Sequence, residues 1–377
     1  MKDKRKKDLR ANEEKEFLLN PERLKTKKKK KRFKRLALCF GILLALILSA
    51  GVSILVVGAV GKSRLKQVSA EQPELASAVL AEAPAEEEEE IWEEGWVKYQ
   101  GQIYAYNEDI MTFLFMGIDK QDGTVREVAE GTDGGQADAL FLLVLNPHDS
   151  RASVIGINRN TMTEIDIYNG EGAYVNTVLA QIAVQHGFGN GVEKSCEYQK
   201  EAVSRLFYSL PIHGYAAVNM SAIPALNDLA GGVDVTVLED MTSEAPAFVK
   251  GAEVHLEGED ALTYVRHRNM DEFGSADQRL ARQKQYLTNF ISAAKTAVGE
   301  DISMVVRLYQ TAAPMMTTDI TLDEAVYLAS QALDYRLGAE DFHMLEGKTV
   351  MGEQFEEYYI DETALYELIL KIFYEKV

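Results

Sequence analysis

Arg266, Arg268, Arg279 and Arg282, together with Gln283, fall within eighteen residues of one another in a 377-residue chain whose formal net charge is −19. A guanidinium is planar and permanently charged, and its forked N–H groups match the oxygens of a phosphate. Asp271, Glu272 and Asp277 lie in the same stretch and could pair with any one of these arginines. Four arginines concentrated in a strongly acidic part of the chain point instead to a phosphate site. Upstream, Asp119, Asp138 and Arg159 each border a short apolar run. Two carboxylates facing clustered arginines suit a divalent cation bridging a pyrophosphate. Mg²⁺ is typically held by one or two carboxylates plus substrate phosphates, and it keeps several waters.

The elements that must position these residues follow from hydrophobic pattern. Residues 112–116 (TFLFM), 139–145 (ALFLLVL) and 152–158 (ASVIGIN) read as strands. The last two are joined by the turn-rich 146–150 and read as a hairpin. Asp119 then lies past the end of the first strand, Asp138 at the start of the second and Arg159 at the end of the third. If the first strand runs antiparallel to the second, all three meet at one end of a sheet, where loops build sites on a rigid scaffold. Residues 265–268 read as extended, which turns Arg266 and Arg268 to one face. A helix over 279–298 carries Arg279, Arg282 and Gln283 at i, i+3 and i+4, again one face. Further helices are expected at 192–210, 258–264, 322–337 and 362–373, with strands at 215–220 and 233–238. Interleaved strands and helices predict an α/β fold, a layered α-β-α domain with a mixed central sheet.

Charge is distributed in blocks. Residues 1–35 carry a net +11, residues 36–60 carry none, and the remainder carries −30. As a helix the uncharged block would span about 37 Å, against a hydrocarbon core of about 30 Å. A single transmembrane signal anchor is therefore expected at 36–60. The excess of Lys and Arg on its amino-terminal side places 1–35 in the cytoplasm and the rest outside the cell membrane. The Ala/Glu/Pro-rich 61–100 reads as a solvated acidic stalk, and 101–377 as one extracellular domain. A basic run set directly against an apolar span belongs to topology and the lipid bilayer, so nucleic acid is not an expected partner. Two cysteines exclude a disulfide-stapled scaffold. Cys196 reads as a buried free thiol, and His186, His213, His255 and His267 show no metal-ligand spacing.

Seven stretches, FLFMGIDK (113–120), QADALFLLVLNP (136–147), VIGINRNTM (154–162), IHGYAAVNM (212–220), GGVDVTV (231–237), LEGEDALTYVRHR (256–268) and QRLARQKQYL (278–287), together resemble the LytR–CpsA–Psr family of membrane-anchored cell-wall enzymes. The resemblance implies a phosphotransferase that moves a glycopolymer, such as a teichoic acid or capsular polysaccharide, from a polyprenyl-pyrophosphate carrier onto peptidoglycan through a phosphodiester link. It implies Mg²⁺, with Mn²⁺ as a substitute, at Asp119 and Asp138. It also implies pyrophosphate contacts from Arg159, Arg266, Arg268, Arg279 and Gln283. Asp119, Asp138 and Arg159 would be the catalytic set. Two departures stand out: Gln136 where the family usually has arginine, and Asn160 where it usually has aspartate. A lipid-pyrophosphate pyrophosphatase and a non-catalytic lipid- or polymer-binding regulator are the alternative functions.

Overall fold

The computed structural model describes residues 72–78, 80–81, 93, 95–118, 134–269, 272–301, 303–321, 324–325, 327–328, 331 and 334–377. The expected cytoplasmic tail at 1–35, the expected anchor at 36–60, most of the expected stalk and Asp119 lie outside the described residues. Among those described, no helix is long and apolar enough to cross a membrane.

Strands β1 (Val97–Tyr99) and β2 (Gln102–Tyr106) pair antiparallel, and six later strands make the central sheet. Strands β3 (Met111–Ile118), β4 (Ala137–Asn146) and β5 (Arg151–Ile157) form its middle, flanked by β8 (Gly214–Asn219) and β11 (Met316–Thr318) on one side and by β12 (Phe342–Met344) on the other. β3 and β4 are antiparallel, as are β4 and β5, whereas β8 runs parallel to β3 and β12 parallel to β5. The sheet is mixed, as expected, and Asp138 and Arg159 fall at the same end of it. β3 and β4 are apolar almost throughout because both of their faces are covered. Alternate residues of β4 go to opposite cores. Leu140, Leu142 and Val144 pack with helix α1 (Glu193–Leu206) and the C-terminal helix (Glu362–Phe373). Phe141 packs with Leu280, Leu287 and Ile291 of the long helix Ser275–Glu300. That alternation is the α-β-α layering.

A smaller cluster sits beside the sheet. It joins the short helix α2 (Ile223–Leu229), strands β9 (Val233–Thr236) and β10 (Glu253–Leu256), helix α3 (Glu259–Arg266) and the long helix, here α4. Two hairpins that the apolar pattern did not reveal project near the site: β6 (Met162–Tyr168) with β7 (Tyr174–Gln181), and β13 (Gly347–Met351) with β14 (Glu356–Ile360). Their strands face solvent on much of their surface and so lack a continuous apolar run.

Three expectations need correction. Residues 265–268 are not one extended segment. Ala261, Tyr264 and Val265 are buried at helical spacing, so the helix runs on through Arg266 and only His267 begins the extended link. The helix expected over 322–337 does not reach its predicted end, because Arg336 leaves it to bridge Arg151 in the sheet. The stalk is not wholly solvated. Leu75 is completely buried among the residues packed between the sheet and the C-terminal helix, and the Glu74 N–H donates to the Tyr208 carbonyl at 2.7 Å.

Candidate active site

A bulge decides where Asp138 points. Ala139 pairs with Gly117 and Ala137 with Ile118, leaving Asp138 as the extra residue of β4. Such an insertion breaks the ladder and re-aims a side chain. The Asp138 carboxylate, only 11% exposed, lands between two guanidiniums: Arg159 Nη1 is 2.6 Å from Oδ1 and Arg279 Nη1 is 3.5 Å from Oδ2. Arg159 lies two residues past the end of β5, and Arg279 comes from the second turn of α4. Arg159 Nη2 also donates to Gln136 Oε1, so this departure supplies an acceptor rather than a further cation.

The other predicted residues divide into two groups. Arg279, Arg282 and Gln283 share the buried face of α4, as their spacing predicts. Arg282, however, donates Nε–H to the Tyr264 carbonyl at 2.8 Å and Nη2–H to the His267 carbonyl, and it pairs with Glu239. Burial pushes its pKa down to about 10. Gln283 Nε2 donates to the Val265 carbonyl at 3.2 Å. These two side chains close the carboxyl end of α3, whose last carbonyls have no helical partner. Arg282 therefore does not join Arg159 and Arg279. Arg266 is exposed on the last turn of α3. Arg268, on the link to α4, donates Nε–H to Ser275 Oγ and Nη2–H to Glu356 Oε2, both at 3.0 Å.

Sequence reading missed the supports behind these arginines. Asn158 Oδ1 accepts from the Asn160 N–H at 2.8 Å, and the Thr161 N–H donates to the Asn158 carbonyl at 3.0 Å. Together these bonds fold the turn that presents Arg159. Asn158 Nδ2 reaches Asp277 Oδ1 at 2.5 Å, and Thr349 Oγ1 reaches Asp277 Oδ2 at 2.7 Å. The Tyr358 N–H donates to the Asn160 carbonyl at 2.9 Å. The β13–β14 hairpin is thus tied to both the turn and α4. On the other side, a His186 ring nitrogen lies 3.0 Å from the Gly135 carbonyl, just upstream of Asp138. The Gly134 N–H bonds the Gly187 carbonyl at 3.3 Å, and a Cβ on Gly134 would lie 2.6 Å from the His186 carbonyl oxygen. Cys196, buried as predicted, sits 3.8 Å from the other His186 ring nitrogen, and burial raises its thiol pKa. Isolated acidic and amide residues gave no periodic or spacing signal for any of these contacts.

An Asp-centred pair of guanidiniums, with a third held close to the start of α4, can bind a polyanion. A model of the LytR_cpsA_psr family matches residues 76–371. The chain belongs to this family. Among curated proteins, the Bacillus cereus (strain AH820) polyisoprenyl-teichoic acid--peptidoglycan teichoic acid transferase TagU is 26% identical over 70% of this chain and 78% of its own length. The Bacillus mycoides (strain KBAB4) protein of the same name is 32% identical over 47% of this chain and half of its own length. Among solved structures, Bacillus subtilis TagV superposes with a TM-score of 0.52 at 23% identity, covering 70% of this chain and 94% of TagV. The LytR_cpsA_psr match begins at residue 76, close to the buried Leu75 and well before the predicted domain boundary at 101.

Proposed function

We propose that this LytR_cpsA_psr protein transfers a glycopolymer from a polyprenyl-pyrophosphate carrier onto peptidoglycan, leaving a phosphodiester link. The observation that carries the reading is the bulge that sets Asp138 between Arg159 and Arg279. Phosphoryl transfer rests mainly on positioning and charge neutralisation, with little covalent work for the protein. Arg159 and Arg279 would hold non-bridging oxygens of the pyrophosphate, and Arg268 would approach from the link before α4. A hydroxyl of peptidoglycan then attacks the phosphorus nearest the polymer, and polyprenyl phosphate leaves. Family membership and the teichoic acid transferases among its curated relatives support this reading, and they make a teichoic acid the first donor to test.

Asp138 carries hard carboxylate oxygens, but Oδ1 already faces Arg159 Nη1 at 2.6 Å and Oδ2 faces Arg279 Nη1 at 3.5 Å, so a cation there would compete with both guanidiniums. With Asp119, Asp138 would hold Mg²⁺, which would offset charge on the leaving oxygens. We also place the chain on the outer face of the cell membrane, anchored through 36–60 with its basic tail inside.

The test is transfer of polymer from a synthetic lipid carrier to a peptidoglycan acceptor, with free polymer phosphate scored separately. Acceptor-linked product that needs Mg²⁺ and is lost in Arg279→Lys is expected. Release of polymer phosphate irrespective of acceptor would overturn transfer in favour of hydrolysis.

A further inference from the structure

Glu356 belongs to the C-terminal stretch in which the sequence offered no motif, yet it is only 7% exposed. A carboxylate buried that far must be paired and hydrogen-bonded. Its Oε1 accepts from the Gly274 N–H at 2.7 Å and its Oε2 from Arg268 Nη2 at 3.0 Å. Its own carbonyl accepts from Gln181 Nε2 at 2.7 Å, which fixes β14 against the neighbouring hairpin. Arg268 meanwhile sits on a link between α3 and α4 that belongs to neither helix nor sheet. Such a link has no ladder to hold a long side chain, and arginine has many rotamers to lose.

Glu356 and Ser275 together engage one edge of the Arg268 guanidinium, at Nη2 and Nε. A guanidinium has five N–H donors, so the remaining three, at the Nη1–Nη2 end, are oriented by that grip. We infer that Glu356 is a positioning residue: it holds Arg268 so that this end faces the pyrophosphate. The inference rests on the pyrophosphate reading above, and it gives the β13–β14 hairpin a task in that site. A buried ion pair is by itself weak evidence of a stabilising role, and the geometry here serves orientation.

The test uses the full-length protein in detergent, with Glu356→Gln and Arg268→Ala made singly and together. Geranylgeranyl pyrophosphate is the affinity probe, and thermal unfolding is measured in parallel. Glutamine still accepts from the Gly274 N–H but presents Arg268 with a neutral amide. Loss of orientation should weaken probe binding about tenfold, the order expected for losing one hydrogen bond to a charged group. In the Arg268→Ala background the same change should have no further effect on affinity. A purely structural role predicts the reverse, a lowered unfolding midpoint with wild-type affinity, and that result overturns the inference. So does a Glu356→Gln loss that multiplies with that of Arg268→Ala. Should Glu356→Gln fail to fold, Glu356→Asp, which keeps the charge on a shorter arm, is read through the same cycle. Wild-type protein that does not bind the probe refutes the pyrophosphate reading itself. Wild-type binding that neither single variant weakens refutes only the part given to Arg268 and Glu356.

Discussion

Replacing Asp138 by asparagine should change stability and metal dependence in ways that can be worked from the structure. Its carboxylate lies 2.6 Å from Arg159 Nη1 and 3.5 Å from Arg279 Nη1, and the three side chains are 11%, 15% and 7% exposed. At an effective dielectric of about 20, a charge pair 3 Å apart attracts by roughly 5 kcal/mol before desolvation is counted. Removing one member of a buried pair typically costs about 3–5 kcal/mol because the remaining charge stays buried. The side chains here retain some exposure, so about 3 kcal/mol is expected, or roughly 6–12 °C in unfolding midpoint at about 2–4 °C per kcal/mol. Ligand should reverse the balance. Without Asp138 the two guanidiniums face an incoming pyrophosphate with no competing carboxylate, so metal-free binding should be no weaker than wild type. Mg²⁺ should strengthen binding of a polyprenyl pyrophosphate to the wild type and do much less for Asp138→Asn, because a neutral amide is a poorer ligand for a hard cation. Calorimetric titration with and without Mg²⁺ reads both effects. Equal Mg²⁺ enhancement in the two proteins would remove Asp138 from the metal site.

Arg282→Lys should lower the unfolding midpoint while leaving the affinity of the folded protein for pyrophosphate lipid close to wild type, since lysine cannot reach Glu239 and two carbonyls at once; loss of affinity at unchanged stability would return Arg282 to the binding set. Burial lowers the His213 pKa to about 4, from an ordinary value of 6.5. The unfolded chain then binds more protons between those values, so the contribution, about 3 kcal/mol at most, is complete above pH 6.5 and is lost as pH falls toward 4. Denaturant titration at pH 7 and pH 5 should show that decline, and His213→Gln should flatten it. Leu75→Ala should destabilise the folded domain by about 2–4 kcal/mol, and a chain starting at residue 82 should melt below one starting at residue 72; equal midpoints would mean that the segment around Leu75 contributes nothing.

The central strands were legible because burial on both faces writes a continuous apolar run, and β3, β4 and β5 differ from expectation only at their ends. The C-terminal helix was legible down to its ends: Asp361 caps it by accepting from the Thr363 and Ala364 N–H groups, and five buried residues keep helical spacing. The bulge at Asp138 was not legible, because it concerns pairing between strands and leaves no mark on the residues of one strand. Arg282 shows the limit of facial spacing. Its position on α4 is the predicted one, but helical phase cannot tell a guanidinium that caps a neighbouring helix from one that faces an open site. Glu356 was hidden for another reason. Glu353, Glu356 and Glu357 look alike in sequence, and only the hairpin register turns the middle one inward.

The two departures from the family pattern bear on each other. Where the family usually has arginine, Gln136 removes a positive charge, and where it usually has aspartate, Asn160 removes a negative one. The formal charge of this part of the site is therefore unchanged. Asn160 is 3% exposed, and its backbone N–H and carbonyl are engaged by Asn158 and Tyr358. Those bonds depend on the backbone, so the turn that presents Arg159 keeps its shape with either side chain. Gln136 gives Arg159 an amide oxygen to donate to, and an arginine at that position has no acceptor to offer. Arg159 is thus held between a carboxylate on the β4 bulge and an amide two residues upstream, without needing a third charge beside it. Asn160→Asp alone would place an additional carboxylate in a nearly closed space and should lower stability. The same change combined with Gln136→Arg restores the charge balance and should recover part of that loss.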